Sequence, residues 1–184
     1  MSIYLNAHGI ILNILIATIL TLILYIRTPG EIVPGNRIIL WLIRWIHLNT
    51  LLFLIIYVLL FDMKYDYIYL GFVLIMFISW AFFKTECIFS YIEKKQLDSE
   101  YLLGSNVSSQ PYIDKLVGDK YKDGVWTFLG VYTHIIFAFI VYRNAEIYIK
   151  NKVAKTGIYV VLAAIIVNNL YYVYKHRYYD VYMT

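Results

Sequence analysis

Five long apolar stretches dominate the sequence, and their length restricts the folds open to the chain. The stretches are residues 9–26, 38–61, 67–83, 125–142 and 157–174. A helix needs about 20 apolar residues to cross the hydrocarbon core of a bilayer, and helices satisfy their own backbone hydrogen bonds in lipid. The pattern therefore predicts an all-α, polytopic integral membrane bundle of about five transmembrane helices, forming one membrane domain over residues 1–184.

The composition of the chain agrees with a membrane location. Hydrophobic residues make up 61% of the sequence and charged residues 15%, whereas soluble domains have about 45–50% and about 25%. Tyr and Trp concentrate at the ends of the apolar stretches, as they do at membrane–water interfaces. The net charge is +4. Because the basic residues lie mostly between apolar stretches, binding to lipid head groups explains them, and we expect no nucleic-acid partner.

Residues 84–124 form the one long polar loop, and the membrane face that carries it is called the loop side below. Ten Lys and Arg residues lie on the loop side and five on the opposite side. The positive-inside rule then places the loop and the C-terminus on the cytoplasmic or matrix-equivalent side. A glycosylation sequon at Asn106 conflicts with this orientation, and we weight the charge count above it. Residues 86–97 have helical spacing, so they are expected to continue the third helix or to lie along the interface.

Polar side chains from different stretches lie at similar depths near the loop side. At about 1.5 Å of rise per residue, His47 and His134 each lie roughly 13 Å from the loop-side ends of their helices. Polar groups at membrane depth are costly and usually face protein or a cavity. We therefore expect one polar cluster, in which Arg44 pairs with Glu86. The expected members, besides the two histidines, are Arg44, Glu86, Cys87, Glu93 and Asn168.

Four interpretations of this cluster are open. His47 and His134 could ligate one haem b iron from opposite faces. The cluster could carry protons or ions across the membrane. Cys87 could act as a nucleophile with a histidine as its base. Alternatively, the polar side chains join helices to one another and to partner subunits, a role that needs neither a cofactor nor a metal.

Several signatures of enzymes and metal sites are missing from the sequence. A single cysteine excludes an internal disulfide framework, a CxxC redox pair and a thiolate zinc site. The chain also lacks H-E-x-x-H, G-x-S-x-G and P-loop motifs, which are typical of metalloproteases, hydrolases and nucleotide-binding proteins. We therefore expect neither an enzyme nor a metal site, and no cofactor unless the haem b interpretation holds.

One segment resembles a known family. Residues 80–94 read W-A-F-F-K-T-E-C-I-F-S-Y-I-E-K, and they follow a helix that carries His47. Over residues 40–105 the chain resembles small four-helix membrane proteins of unknown function, which have a Cys-Pro-Leu-Thr-x-x-Glu motif after a helix with an intramembrane His. Ile88 and Ser90 replace the Pro and Thr of that motif, and a fifth helix is additional. The resemblance implies a small helical bundle with His47, Cys87 and Glu93 near one membrane face, and it implies no established reaction.

These observations together predict a small structural or accessory subunit of a larger membrane assembly. Frequent Tyr, Ile, Asn and Lys indicate an AT-rich genome. The expected setting is a respiratory-type complex of an organellar inner membrane or a viral inner membrane, with another cellular membrane as the remaining alternative. The expected partners are the lipid bilayer and other membrane protein subunits. The alternative is a ligand-, haem- or proton-binding membrane protein that uses the polar cluster.

Overall fold

The computed structural model describes residues 2–84, 86–106, 110–118 and 120–175. Residues 107 and 108, which complete the Asn106 sequon, and residues 176–184 lie outside these ranges. The described residues form seven α-helices and no strand, so the predicted all-α fold is confirmed. The helices are α1 (Ser2–Arg27), α2 (Arg37–Leu60), α3 (Asp66–Phe82), α4 (Ile88–Leu97), α5 (Pro111–Val117), α6 (Lys122–Tyr148) and α7 (Lys152–Tyr174).

Three of the described helices are long and apolar enough to cross a membrane. They are Ala7–Arg27 of α1, Arg37–Leu60 of α2 and Lys122–Tyr148 of α6. Helix α3 has 17 residues, which is the lower end of the length range for a span, about 17–25 residues. A membrane location is therefore supported by three helices.

Helices α1 and α2 form a hairpin whose register is fixed by polar contacts within the membrane. The Asn13 amide donates to the Asn49 side-chain oxygen at 3.1 Å and to its backbone oxygen at 3.0 Å. The Trp45 indole N–H donates to the Thr18 hydroxyl at 3.0 Å. Because an unpaired polar group in lipid is costly, these bonds favour one alignment of the two helices over its neighbours.

The segment between α1 and α2 is held by its own cap and by the end of α4. The Asn36 side chain accepts hydrogen bonds from the backbone N–H groups of Ile38 and Ile39, as a helix N-cap residue does. The Gln96 side chain accepts the Asn36 backbone N–H at 2.7 Å, and the Gln96 backbone oxygen accepts that of Gly35 at 3.0 Å. A side chain at Gly35 would overlap Gln96, so glycine permits this close approach.

Two apolar clusters fill the bundle, one in each half. On the loop side, α1, α2 and α5 contribute the buried residues Ala17, Leu24, Leu48, Tyr112 and Ile113. In the opposite half, α2, α3 and α6 contribute Leu54, Tyr57, Tyr69, Val73, Ile136 and Ile140. Helix α7 packs against α6. The short helix α5 therefore belongs to the loop-side core although it lies within the predicted polar loop.

A buried carboxylate joins three helices at the end opposite the loop side. Asp66, at the start of α3, accepts the Tyr57 hydroxyl at 3.0 Å and the Asn144 amide at 2.6 Å. It also pairs with the Arg143 guanidinium, whose Nε lies 2.7 Å from Asp66 Oδ2. The ends of α2, α3 and α6 are thus tied together at a single side chain, a cluster that the sequence did not reveal.

The predicted polar loop contains helices α4 and α5, and α4 does not continue α3. Helix α3 ends at Phe82, and α4 begins at Ile88. Between them Lys84 has a φ of +49°, a left-handed conformation that ends a regular helix. The chain turns there and places α4 against α2. The expected helical structure is confirmed for Ile88–Leu97. Continuation of α3 is wrong, and the alternative position along the membrane interface stays a prediction.

The Asp66 cluster makes a prediction about stability. The change Arg143→Met leaves a buried carboxylate without its cation, so it should lower the free energy of unfolding by about 3–5 kcal/mol. The double variant Arg143→Met/Asp66→Leu should recover part of that loss. The control Lys64→Met removes a largely exposed ion pair with Asp62 and should cost less than about 1 kcal/mol. Denaturant unfolding in detergent measures all three, and equal losses for Arg143→Met and Lys64→Met would contradict the prediction.

Candidate functional site

Most of the sequence-predicted polar residues meet at the loop-side end of α2, under a structure that we call the cap. The cap consists of residues 28–36, which connect α1 to α2, and of residues 86–106 and 110–118, which include α4 and α5. Helix α4 packs on α2, and α5 packs on α1, α4 and α6. The cap therefore covers the α2 surface on which Arg44 and His47 lie one turn apart.

Arg44 is the centre of the cap, and two carboxylates neutralise it. Its side chain has no solvent exposure. Its two terminal nitrogens lie 2.8 and 3.0 Å from the two oxygens of Glu31, and its Nε lies 2.7 Å from Glu93 Oε1. The Trp41 ring lies 4.8 Å from the guanidinium carbon. The expected pairing of Arg44 with Glu86 is therefore wrong, because Glu31 and Glu93 occupy the donors of the guanidinium.

Glu86 instead holds the segment that follows α4. It lies 2.5 Å from the Lys94 ammonium and accepts the Tyr101 hydroxyl at 2.8 Å. Its second oxygen accepts the Gly104 backbone N–H at 3.0 Å, and Gly104 has a φ of +82°, a conformation that glycine adopts at low cost. Lys94 also donates to the backbone oxygen of Asn106. Glu86 is thus a structural anchor for this part of the cap.

Sequence reasoning missed Glu31, although a signal for it was present. A buried arginine in a membrane helix needs an acidic partner, and Glu31 lies thirteen residues before Arg44 in the connection to α2. Glu31 also pairs with Lys115 of α5. On the same side, Arg27 donates to the backbone oxygen of Leu116 at 2.6 Å. Glu31 therefore links the α1–α2 connection to both α2 and α5.

Cys87 and His47 form a contact pair beside the charged network. The Cys87 sulfur lies 3.4 Å from His47 Nε2, which is hydrogen-bonding distance for a thiol. The His47 ring lies between the rings of Phe89 and Tyr112, with centroid separations of 5.4 and 4.7 Å. Burial raises the pKa of the Cys87 thiol, while nearby backbone amides oppose the shift. The thiol is therefore held mainly in its neutral form next to a potential proton acceptor.

Three buried polar atoms around this pair have no hydrogen-bond partner among the described residues. They are His47 Nδ1, Glu93 Oε2 and the Tyr112 hydroxyl. Leaving such a group unpaired costs about 1–3 kcal/mol, so three of them in one place are unusual. Tyr112 was not among the predicted site residues. Its position follows from the packing of α5 on α1, α4 and α6, which sequence spacing did not reveal.

His134 and Asn168 lie apart from the cap. His134 Nδ1 lies 2.6 Å from the Gly130 backbone oxygen within α6, and its Nε2 is buried without a partner among the described residues. No contact between the His134 and His47 side chains is found in the described part of the chain. Asn168 is exposed on α7. The structure therefore brings together Arg44, His47, Glu86, Cys87 and Glu93, and leaves His134 and Asn168 outside.

The described residues contain no group of three or more His, Cys, Asp or Glu side chains arranged to hold a metal ion. No known protein family, curated protein or solved structure matches the chain. The resemblance of residues 40–105 to small four-helix membrane proteins therefore stays a prediction.

The ionisation of Glu93 in the cap is strongly disturbed by burial. Burial raises the pKa of Glu93 from 4.5 to about 7, although the Arg44 guanidinium opposes the shift. The opposition is incomplete because Arg44 is already paired with both oxygens of Glu31, so one cation is shared by two carboxylates. Among the described residues, the second oxygen of Glu93 also lacks a hydrogen-bond partner.

This shift predicts how stability depends on pH. Below pH 4.5 Glu93 is protonated in both the folded and unfolded states. Between pH 4.5 and about 7 the unfolded state ionises first, so the contribution of Glu93 to stability falls as the pH rises. Relative to a Glu93→Gln variant, the wild-type protein should lose on the order of 1–3 kcal/mol across this window. Thermal unfolding in detergent from pH 4.5 to 7.5 measures it, and a difference that does not change with pH would contradict the prediction.

Proposed function

We propose that this protein is a structural or accessory subunit of a larger membrane assembly, of the respiratory-complex or viral inner-membrane kind. In this proposal α3 and α7 cross the membrane together with α1, α2 and α6, which gives five spans. The loop side faces the cytoplasm or its matrix equivalent, because it carries ten of the Lys and Arg residues against five opposite.

The observation that carries the proposal is the exposed side-chain amide of Asn168 on helix α7. Asn168 lies on α7 six residues before the end of the helix, which is roughly 9 Å along its axis, and its side chain is exposed. Exposed small residues, Gly157 and Ala164, lie on the same face of α7 at helical spacing. Small residues allow close approach of a second helix, and an amide in lipid is stabilised by a hydrogen bond across such a contact. This face of α7 is therefore suited to a partner helix.

The charge balance of the cap also supports a structural role. Three acids, Glu31, Glu86 and Glu93, are paired there with three bases, Arg44, Lys94 and Lys115. Buried charges arranged in this way hold segments in a fixed geometry and need no ligand to balance them. The cap is thus a preformed end of the bundle.

A second function, the binding of haem or another ligand, is favoured by one specific observation. His47 and His134 each have one buried ring nitrogen without a partner among the described residues. The other nitrogen of His134 contacts a backbone oxygen, which is the arrangement that orients many histidine ligands. An absorption spectrum of the purified protein distinguishes the two functions. A Soret band that disappears in His134→Ala would establish the haem function, and the absence of such a band in both redox states would remove it.

The proposed subunit function predicts that bulk on the α7 face disrupts assembly. In Ala164→Trp the indole should block the close approach of a partner helix, and Asn168→Leu should weaken association by about 1–2 kcal/mol. The matched control Leu15→Trp places the same indole at an exposed position of α1. Extraction from the native membrane in mild detergent, followed by native mass spectrometry, measures the partners. Recovery of the wild-type protein as a monomer, or equal losses for Ala164→Trp and Leu15→Trp, would refute the proposal.

A further inference from the structure

A cleft opens at the loop-side end of the α1–α2 hairpin. Its walls come from the last turn of α1, the connection to α2 and the start of α2, and they include Tyr25, Thr28, Glu31, Arg37 and Trp41. The Tyr25 and Trp41 rings are in edge contact, with centroids 5.3 Å apart. The enclosed space is about 10 Å³, which is room for about one water-sized group. The cleft therefore admits an oxygen atom of a ligand, and the rest of that ligand has to lie on the outer surface of the protein.

Arg37 gives the cleft an exposed cation with a fixed anchor. One terminal nitrogen of its guanidinium donates to the Glu31 backbone oxygen at 3.1 Å, and the residue is exposed. Among the described residues the Arg37 side chain has no acidic partner. A guanidinium has five N–H donors in a planar fork, and that fork matches the oxygens of a phosphate group. Arg37 is therefore oriented by the α1–α2 connection, and its remaining donors are available to an anion.

The charged groups beside the cleft leave it positive. Glu31 lines the cleft, but both of its side-chain oxygens are bound by Arg44, and one of them also by Lys115. Arg27, the last residue of α1, is a second exposed cation, and its side chain donates to a backbone oxygen of α5 at 2.6 Å. In the described part of the chain, the end of the hairpin therefore carries positive charge from Arg27 and Arg37 that no acid balances.

An exposed apolar strip on α2 begins next to Arg37. Ile38 is 79% exposed and Leu42 is 52% exposed, and residues four apart are neighbours on a helix surface. Ile26, which precedes Arg27, is also largely exposed. Because α2 is long and apolar enough to cross a membrane, this strip faces acyl chains. A cation and an apolar strip thus adjoin at the membrane end of α2, which is the arrangement of charge and hydrocarbon in a phospholipid.

We propose that this surface binds one anionic phospholipid. The lipid phosphate accepts hydrogen bonds from Arg37, an oxygen of the head group enters the cleft, and an acyl chain lies along Ile38 and Leu42. The class of lipid follows from the charge, because the amine of a zwitterionic head group would bring another cation close to Arg27 and Arg37. Basic sites on the cytoplasmic side of membrane proteins favour acidic lipids for the same reason. This proposal needs only the membrane location and is independent of the subunit function.

The bound lipid also supports the charged network of the cap. Arg37 holds the Glu31 backbone, and the Glu31 side chain neutralises Arg44. A phosphate that restricts Arg37 therefore restricts the segment that carries Glu31. A ligand that binds only the folded state stabilises that state by mass action. Phosphatidylglycerol should accordingly raise the thermal unfolding temperature of the protein in detergent, and phosphatidylcholine should raise it less.

The experiment measures which lipids stay bound to the full-length protein. The protein is placed in nanodiscs of phosphatidylcholine with a minor fraction of phosphatidylglycerol of the same acyl chains, and native mass spectrometry counts the lipids retained after release. We expect one phosphatidylglycerol per chain, retained well above its share of the bilayer. Soluble glycerol phosphate in excess should not displace it, because that compound has no acyl chain to lie along α2. Displacement would make the head group alone the ligand and would overturn the proposal.

Three variants separate a lipid site from a general surface charge. Arg37→Gln keeps a donor for the Glu31 backbone oxygen and removes the cation, so it should lower retention of phosphatidylglycerol about tenfold or more. Arg37→Lys keeps the charge without the planar fork and should give an intermediate loss. The control Lys120→Gln removes another exposed loop-side base and should change retention less than about twofold. Equal losses for Arg37→Gln and Lys120→Gln, or no preference of the wild-type protein for phosphatidylglycerol, would overturn the proposal.

Discussion

The loop-side half of this protein depends on the neutralisation of Arg44. A guanidinium without solvent exposure is tolerated only when its charge and its donors are both satisfied. Glu31 supplies two oxygens and Glu93 one, and they come from different segments of the chain. The α1–α2 connection and α4 are thereby fixed to the same point of α2. The contact of Cys87 with His47 and the packing of α5 on α4 accompany that placement of α4.

The lengths of the apolar stretches predicted the long helices, because the thickness of the bilayer sets the length of a membrane-spanning helix. The predicted stretch 38–61 corresponds to α2, Arg37–Leu60, almost residue for residue. The ends of the other helices were harder to predict. Helix α6 runs from Lys122 to Tyr148 and extends past both ends of the predicted stretch 125–142. Polar residues that flank a span can continue the helix outside the lipid as readily as they end it, so apolar length does not predict where the helix ends. Helices α4 and α5 are too short and too polar to give such a signal.

The composition of the polar cluster was predicted better than its pairing. Depth along a helix gave one coordinate of each membrane side chain, and the structure brings Arg44 and His47 together with Glu93 and Cys87 of the cap. Depth said nothing about the direction in which a side chain leaves its helix, so His134 has the depth of His47 and lies elsewhere, and Asn168 is also outside the cluster. The predicted pairing of Arg44 with Glu86 was wrong because the cap folds back on itself, and helical spacing alone does not describe such a fold.

The separation of the two Arg44 partners along the chain has a consequence for biosynthesis. Glu31 precedes Arg44 by thirteen residues, and Glu93 follows it by forty-nine. Since the N-terminal part of a chain is made first, Arg44 has a carboxylate available before α2 is complete. The α1–α2 hairpin can therefore enter the membrane with its buried cation already neutralised. Glu93 is synthesised only after α3, so the cap closes late in maturation. Entry of the α1–α2 hairpin into the membrane does not depend on that closure.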